Sequence, residues 1–290
     1  MHISTSIYPF YRLGSVENIL DCLRSAGFTA YDFTATEYTE EFLLADDYKE
    51  RARTLRDYAD KIGIVCNQAH APFPVIKEGD ENYNELVRLK ILRTLEVSGI
   101  LGAKVCVVHP YNYYPLDKNI QLYQSYEETA KKAGVKIGVE NMWGWANGGP
   151  TSDGVACGHH DDFKAYMDAL DKETFVACLD IGHAELSGMN TSTTEMLETL
   201  GNYVQAIHLH DNYKAGGRKE GVPCDTHQLP FTQGVDFQKV IDGLKKIGYK
   251  GDITMEADSF ILNMPPELVW QAGRFMADVA KYFKDKIEKE

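Results

Sequence analysis

Short β-rich segments alternate with longer segments of helical periodicity along the whole chain, and this alternation constrains the fold more than any other feature. We count eight such pairs in 290 residues. Alternating strands and helices predict a parallel sheet, because each helix carries the chain back to the start of the next strand. The predicted strands cover residues 2–6, 30–34, 65–70, 105–109, 136–140, 175–180, 204–210 and 251–256.

Several of these strands, such as residues 105–108 (VCVV), are apolar without alternation, which is typical of strands that are covered on both faces. The helices between them are predicted at residues 16–25, 48–62, 83–98, 123–133, 161–170, 193–200, 237–247 and 267–283. A glycine follows several of these helices and predicts a left-handed carboxyl cap. These glycines are Gly27, Gly63, Gly99, Gly134 and Gly248.

Eight such units without a linker predict an α/β fold, a closed (β/α)₈ TIM barrel that forms a single domain over residues 1–290. The alternative is an open doubly wound sheet, which would carry a glycine-rich phosphate loop after its first strand. Residues 8–14 read YPFYRLG at that place, so a nucleotide-binding fold is the weaker interpretation.

Charge and composition narrow the classes of partner. The chain has 30 basic and 43 acidic side chains and a formal charge of −13, which disfavours nucleic acid and anionic membranes. The amino terminus lacks a secretory signal and no apolar stretch approaches a membrane span, so we expect a cytoplasmic protein. The six cysteines form no CxxC pair and are interpreted as reduced, mostly buried thiols.

Ionisable residues lie at the ends of six consecutive predicted strands, from the third to the eighth. In a barrel these ends converge on one pocket. Carboxylates that face one another there would repel, whereas a divalent cation neutralises them and also accepts imidazole. The sequence therefore predicts a metal site among His70, His109, Glu140, Asp180, His183, His208, His210 and Glu256.

Two of these histidines, His208 and His210, are two residues apart and so face the same side of a strand. We predict that His210 binds the metal and that His208 supports it or contacts substrate.

Aromatic residues such as Tyr8 and Trp143 follow strand ends, where they either stack on a sugar or anchor long loops. In the seventh loop Lys214 and Arg218 either hold a substrate phosphate or carboxylate or belong to a solvated loop.

Four motifs make the sequence similar to a known superfamily: Glu140-Asn141-Met142, Leu179-Asp180-x-x-His183, His208-Leu209-His210-Asp211, and Glu256. The chain resembles the xylose-isomerase-like barrels, which include ketose 3-epimerases, inosose dehydratases and the apurinic endonuclease IV enzymes. In the epimerase-like members these motifs supply a four-ligand site for a divalent ion such as Mn, Co, Mg or Zn. The resemblance implies the ligands Glu140, Asp180, His210 and Glu256 here.

The resemblance to the endonuclease branch implies further ligands, since those enzymes hold three metal ions. The additional candidates are His70, His109, His183, Asp225 and His227. Two features depart from that branch. Trp143 and Trp145 occupy a loop that is small and glycine-containing in the endonucleases, and no basic stripe follows a duplex. We therefore expect one metal ion per chain. The additional candidate ligands leave open a centre of up to three ions.

These residues predict a divalent-metal-dependent isomerase or epimerase that acts on a small-molecule carbohydrate, a sugar or sugar phosphate, through a metal-stabilised enediolate. Glu140 and Glu256 would remove and return the proton on opposite faces, and His183 would bind a substrate oxygen. The alternatives are multi-zinc hydrolysis of phosphodiesters at abasic DNA sites, a lyase or dehydratase reaction, and a catalytically silent sugar-binding barrel. A homo-oligomer is left open.

Overall fold

Eight parallel strands form the centre of the molecule in the computed structural model, which describes residues 1–212 and 225–289. Two further strands, β6 (Gly144–Ala146) and β7 (Gly149–Thr151), form an antiparallel hairpin outside that sheet. The eight central strands are β1 (Ile3–Thr5), β2 (Ala30–Thr34), β3 (Val65–His70), β4 (Val105–Val108), β5 (Lys136–Glu140), β8 (Phe175–Asp180), β9 (Val204–Leu209) and β10 (Ile253–Met255).

The sheet closes on itself, in the strand order β1-β10-β9-β8-β5-β4-β3-β2. Strands β1 and β2 are joined by a parallel bridge between Ser6 and Asp32, next to a 3.1 Å hydrogen bond from the backbone N–H of Ile7 to the carbonyl of Asp32. Helices connect the strands and cover the outside. The prediction of a TIM barrel is thus confirmed.

All eight predicted helices are present, and the structure adds short ones in the loops. The α-helices are α1 (Val16–Ala26), α2 (Glu37–Leu44), α3 (Tyr48–Ile62), α4 (Glu81–Leu101), α5 (Leu116–Ala133), α6 (His160–Ala169), α7 (Ile181–Ala184), α8 (Thr193–Leu200), α9 (Phe237–Lys246), α10 (Asp258–Leu262) and α11 (Val269–Glu288). Three 3₁₀ helices lie at Tyr8–Leu13, Gly201–Tyr203 and Pro266–Leu268. The predicted cap at Gly99 is wrong, because α4 continues to Leu101 and ends at Gly102, whose φ is 87°.

Several strands, among them β4 and β8, are apolar on both sides, as predicted, because their outer residues pack against the helices and their inner residues fill the barrel. On β8, Ala177 and Leu179 belong to the large outer core, whereas Val176 and Cys178 belong to a small second cluster inside the barrel. This alternation sends Asp180 inward at the strand end. Among the described helices, none has both the length and the apolar character that crossing a membrane requires.

Candidate metal centre

The alternation on the strands brings most of the predicted site residues to one cavity at the carboxyl ends of the barrel. The cavity has a volume of about 370 Å³, and its polar wall consists of imidazoles and carboxylates. Most of its other lining side chains are aromatic or otherwise apolar. The ionisable lining residues are His70, His109, Glu140, His183, Asp225, His227 and Glu256.

A first group of donor atoms joins Glu140, Asp180, His208 and Glu256, all within 4.8 Å of one another. The Nδ1 atom of His208 lies 3.4 Å from Glu140 Oε1, 3.4 Å from Glu256 Oε2 and 3.7 Å from Asp180 Oδ2. The sequence prediction placed His210 in this set. In the structure His210 contacts Asp180 from another side, with Nε2 3.0 and 3.1 Å from the two carboxylate oxygens.

A second group consists of His70, His109 and Glu140. The two Nε2 atoms lie 3.1 Å apart, and they are 3.3 and 3.1 Å from the same Glu140 Oε2 atom. Glu140 therefore belongs to both groups, with one carboxylate oxygen in each. A carboxylate in this position can bridge two cations.

A third group consists of His183, His210, Asp225 and His227. The Nε2 atoms of His183 and His227 each lie 3.1 Å from Asp225 Oδ2. The rings of His210 and His227 are stacked, with centroids 4.0 Å apart. The three groups together contain all nine residues implied by the resemblance, and His208 in addition.

Backbone carbonyls fix the orientation of three of these rings. The Nδ1 atom of His70 lies 2.8 Å from the carbonyl of Ala71, and those of His183 and His227 lie 2.9 Å from the carbonyls of Asn141 and Glu256. A carbonyl only accepts, so each Nδ1 carries the hydrogen and each Nε2 faces the cavity. Histidines that bind metals are held in this way, and the residues present fit a divalent cation.

The two predicted catalytic carboxylates have opposite electrostatic environments. Burial by itself raises the pKa of Glu140, but the imidazoles of His208 and His109 outweigh burial and hold that pKa well below its usual range. Burial and the negative charges of Glu140 and Asp180 raise the pKa of Glu256 well above its usual range. In the metal-free centre the ionised form of Glu140 and the protonated form of Glu256 are therefore favoured.

Asn141 explains part of the Glu140-Asn141-Met142 motif, because it clamps the end of β5 to the end of β8. Its Oδ1 accepts a 2.7 Å hydrogen bond from the backbone N–H of Asp180, and its Nδ2 donates a 2.9 Å bond to the Asp180 carbonyl. The sequence analysis assigned no role to this side chain. Its position directly after an inward glutamate was the available signal.

Asp211 is a second residue that the sequence left without a role. Its fully buried carboxylate accepts hydrogen bonds of 2.8 to 3.0 Å from four backbone N–H groups, those of Asn212, Gln233, Gly234 and Val235. Asp211 thus anchors the segment that leads from the third donor group to α9. Because Asp211 directly follows His210, this anchor lies next to the candidate metal centre.

Replacement of Asp211 by asparagine is expected to lower the free energy of unfolding by about 3 kcal/mol, because a neutral amide cannot accept from four buried N–H groups. Urea denaturation of the variant measures this change. Asp46→Asn serves as the control, since Asp46 is exposed. Equal stability of both variants would show that the four bonds contribute little.

The remaining predicted residues differ in their relation to the cavity. Trp143 lines it and donates a 3.3 Å hydrogen bond from Nε1 to Asp225 Oδ2. Tyr8 is partly buried and stacks on Tyr11, with ring centroids 6.3 Å apart, and it is not among the lining residues. Lys214 and Arg218 lie outside the described residues.

A closed barrel with three neighbouring imidazole and carboxylate groups at its carboxyl end defines a TIM barrel with a candidate metal centre. Residues 20–278 match the family model described as the xylose isomerase-like TIM barrel. The chain belongs to this family, as its motifs predicted.

Individual relatives agree with this assignment. The uncharacterized protein MJ1311 of Methanocaldococcus jannaschii is 30% identical over 200 residues, which are 64% of this chain and 62% of that protein. A D-tagatose 3-epimerase-like protein matches with a TM-score of 0.71 and 21% identity, over 99% of this chain and 98% of the other. The IOLI protein with a binding zinc atom matches with a TM-score of 0.72 and 15% identity over the same shares. At these identities the two structures establish the fold.

Proposed function

We propose that this protein is a divalent-metal-dependent isomerase or epimerase of a sugar or sugar phosphate. One observation carries the proposal: Glu140 Oε1 and Glu256 Oε2, from strands on different sides of the cavity, both lie 3.4 Å from His208 Nδ1. Their pKa values are shifted in opposite directions. Moving a proton from one face of a carbon to the other needs one group that accepts and one that donates.

The first donor group would hold the metal, with Glu140, Asp180 and Glu256 as carboxylate ligands and an imidazole from β9 or its end as the fourth. When bound there, a divalent ion supplies Lewis-acid chemistry that acidifies a C–H bond next to a carbonyl. The likeness to a D-tagatose 3-epimerase-like protein and to IOLI with zinc supports both the substrate class and the metal.

Side chains of the protein transfer the proton, bind the substrate and exclude water. Glu140, whose pKa is lowered, accepts the proton from the substrate carbon, and Glu256, whose pKa is raised, is the group that returns one on the other face. His183 binds a substrate oxygen at the cavity edge. Trp143 and Phe73 line the cavity and cover the apolar face of the sugar, which excludes water from the transfer.

A substrate screen tests the proposal. The metal-loaded protein is incubated with a panel of ketoses and ketose phosphates in deuterated water, and ¹H NMR follows loss of the carbon-bound proton. We expect deuterium at one carbon of at least one ketose, together with its epimer or isomer. Failure to exchange any member of the panel would count against the proposal.

A second reaction, hydrolysis of a phosphodiester, is favoured by one specific observation. The first and second donor groups share Glu140, and His210 of the third group contacts Asp180 of the first, so the centre has places for more than one ion. Metal analysis separates the two candidates. Three zinc ions per chain, together with nicking of duplex DNA at abasic sites, would favour hydrolysis over proton transfer.

Metal binding to the third group is expected to release protons. Burial lowers the pKa of His227, but the carboxylate of Asp225 outweighs burial and raises it to about 10, and the pKa of His183 is also raised well above its usual value. The protonated form of both rings is therefore favoured in the metal-free protein, and metal must displace those protons. Affinity should therefore increase as pH rises towards 10.

Calorimetric titration with Zn²⁺ at pH 7, in buffers of different ionisation enthalpy, measures this effect. We expect on the order of two protons released when the third group is filled. The variant His227→Gln should release about one proton fewer. A binding enthalpy that does not depend on the buffer would contradict the prediction.

A further inference from the structure

A second cavity lies at the amino ends of the central strands, on the opposite side of the barrel from the metal centre. Its volume is about 540 Å³. Lys104 directly precedes β4, Lys136 begins β5 and Asp252 directly precedes β10, and all three line this amino-end cavity. Val105 and Ala206, from the small cluster inside the barrel, add an apolar part to its wall. The proposed reaction uses none of its lining residues.

Two β-bulges bring amide side chains to the amino-end cavity. The pairing of β2 with β3 leaves out Asn67, and the pairing of β8 with β9 leaves out Gln205. An extra residue in one strand breaks the strict alternation and turns its side chain in a new direction. Both amides line the cavity, and Gln205 Oε1 accepts a 3.2 Å hydrogen bond from Lys136 Nζ. The bulges thus place two hydrogen-bonding side chains in one wall.

The amide of Asn67 has an unused acceptor. The residue is 7% exposed, and its Nδ2 donates a 3.4 Å hydrogen bond to Thr254 Oγ1. Among the residues that the structure describes, none donates to Asn67 Oδ1. A buried acceptor without a partner is destabilising, and such groups are rare in folded proteins. A hydroxyl group of a ligand in the cavity would satisfy this oxygen.

Positive charge exceeds negative charge at this cavity. Within the described part of the chain, its charged lining residues are Lys104, Lys136, Lys250 and Asp252. Lysines elsewhere form ion pairs, as Lys132 does with Glu128, whereas none of these three pairs with a described carboxylate. Asp252 accepts a 2.6 Å hydrogen bond from the backbone N–H of His2. The wall therefore carries an excess of two positive charges in a protein whose formal charge is −13.

We propose that the amino-end cavity binds a small phosphate ester that also carries a hydroxyl group. The dianion of a phosphate monoester matches the excess of two positive charges, and lysine is a common phosphate binder. The hydroxyl group donates to Asn67 Oδ1, and the carbon skeleton contacts Val105 and Ala206. The two cavities share no lining residue, so this site does not rest on the proposed function.

Calorimetric titration of the zinc-loaded protein with glycerol 3-phosphate tests the charge requirement. The double variant Lys104→Gln with Lys250→Gln removes two cations whose side chains are exposed, so the fold should be kept, and circular dichroism checks this. We expect the dissociation constant to rise about 100-fold in the double variant. Lys61→Gln removes an exposed lysine that does not line the cavity, and this control should keep the wild-type affinity.

The variant Asn67→Leu tests the hydroxyl group. Wild type should bind glycerol 3-phosphate about 10-fold more tightly than inorganic phosphate, because only the ester offers a hydroxyl to Oδ1. Asn67→Leu should lose this preference. A preference that persists in this variant would contradict the assigned contact.

Three results would overturn the site as a whole. The first is the absence of binding to wild type. The second is wild-type affinity in the lysine double variant, which would place the phosphate elsewhere, such as at the metal centre. The third is equal weakening in Lys61→Gln, which would show that only the net charge matters.

Discussion

Replacing Glu140 by glutamine is expected to abolish the exchange of solvent deuterium into the substrate, with a fall in rate of about 10⁴-fold. Glutamine has the shape of glutamate but does not take up a proton at neutral pH. Glu140 is 1% exposed, so water does not substitute for it easily. Glu256→Gln is expected to stop the return of the proton and to lower epimer formation similarly. ¹H NMR in deuterated water, with the ketose found in the screen, measures both rates.

The comparison needs variants that keep the fold and the metal. Circular dichroism and zinc content show whether Glu140→Gln and Glu256→Gln still meet that condition. Glu267→Gln, a change at an exposed glutamate in the 3₁₀ helix Pro266–Leu268 and outside the donor groups, is the control and should exchange at the wild-type rate. Exchange that persists in Glu140→Gln would remove this residue from the proton transfer.

The barrel could be predicted because its signal is local. Helices α3 and α8 begin and end where the sequence predicted, and four strands, β2, β3, β5 and β8, match the predicted bounds at both ends. Hydrophobic periodicity and carboxyl-cap glycines act within a few residues, so they can be read without knowing the partners. The elements that were missed, among them α2, α7 and the β6–β7 hairpin, are short and lie in loops, where contacts with the rest of the barrel decide the conformation.

The convergence of the candidate ligands could be predicted for a related reason, since alternation on a strand decides which ionisable residues point inward. The orientation of each imidazole ring could not be predicted. It depends on bonds between residues far apart in the chain, such as Gln68 with Asp32, 36 residues away, and with His208, 140 residues away. Asn141 and Asp211 escaped notice for the same reason, because their roles are hydrogen bonds to backbone groups of other strands and loops.

Removal of the metal is expected to abolish activity and to lower the free energy of unfolding by about 4 kcal/mol, relative to protein in a metal concentration 1,000 times the dissociation constant. Glu140, Asp180 and Glu256 have oxygens within 4.8 Å of one another, and without a cation their charges repel. Burial, together with that repulsion, raises the pKa of Glu256 in the metal-free protein.

Scanning calorimetry after dialysis against EDTA, followed by titration with Mn²⁺, Co²⁺, Mg²⁺ or Zn²⁺, measures the loss of stability and its recovery.

Asp180→Asn should resemble the dialysed wild type, and added metal should stabilise it less, because Asp180 is buried among the ligands and contacts His210. Recovery of stability and exchange with one equivalent of metal would favour the epimerase, since its chemistry needs one ion. Recovery only after three equivalents would favour phosphodiester hydrolysis. Unchanged stability and activity in EDTA would contradict a metal centre altogether.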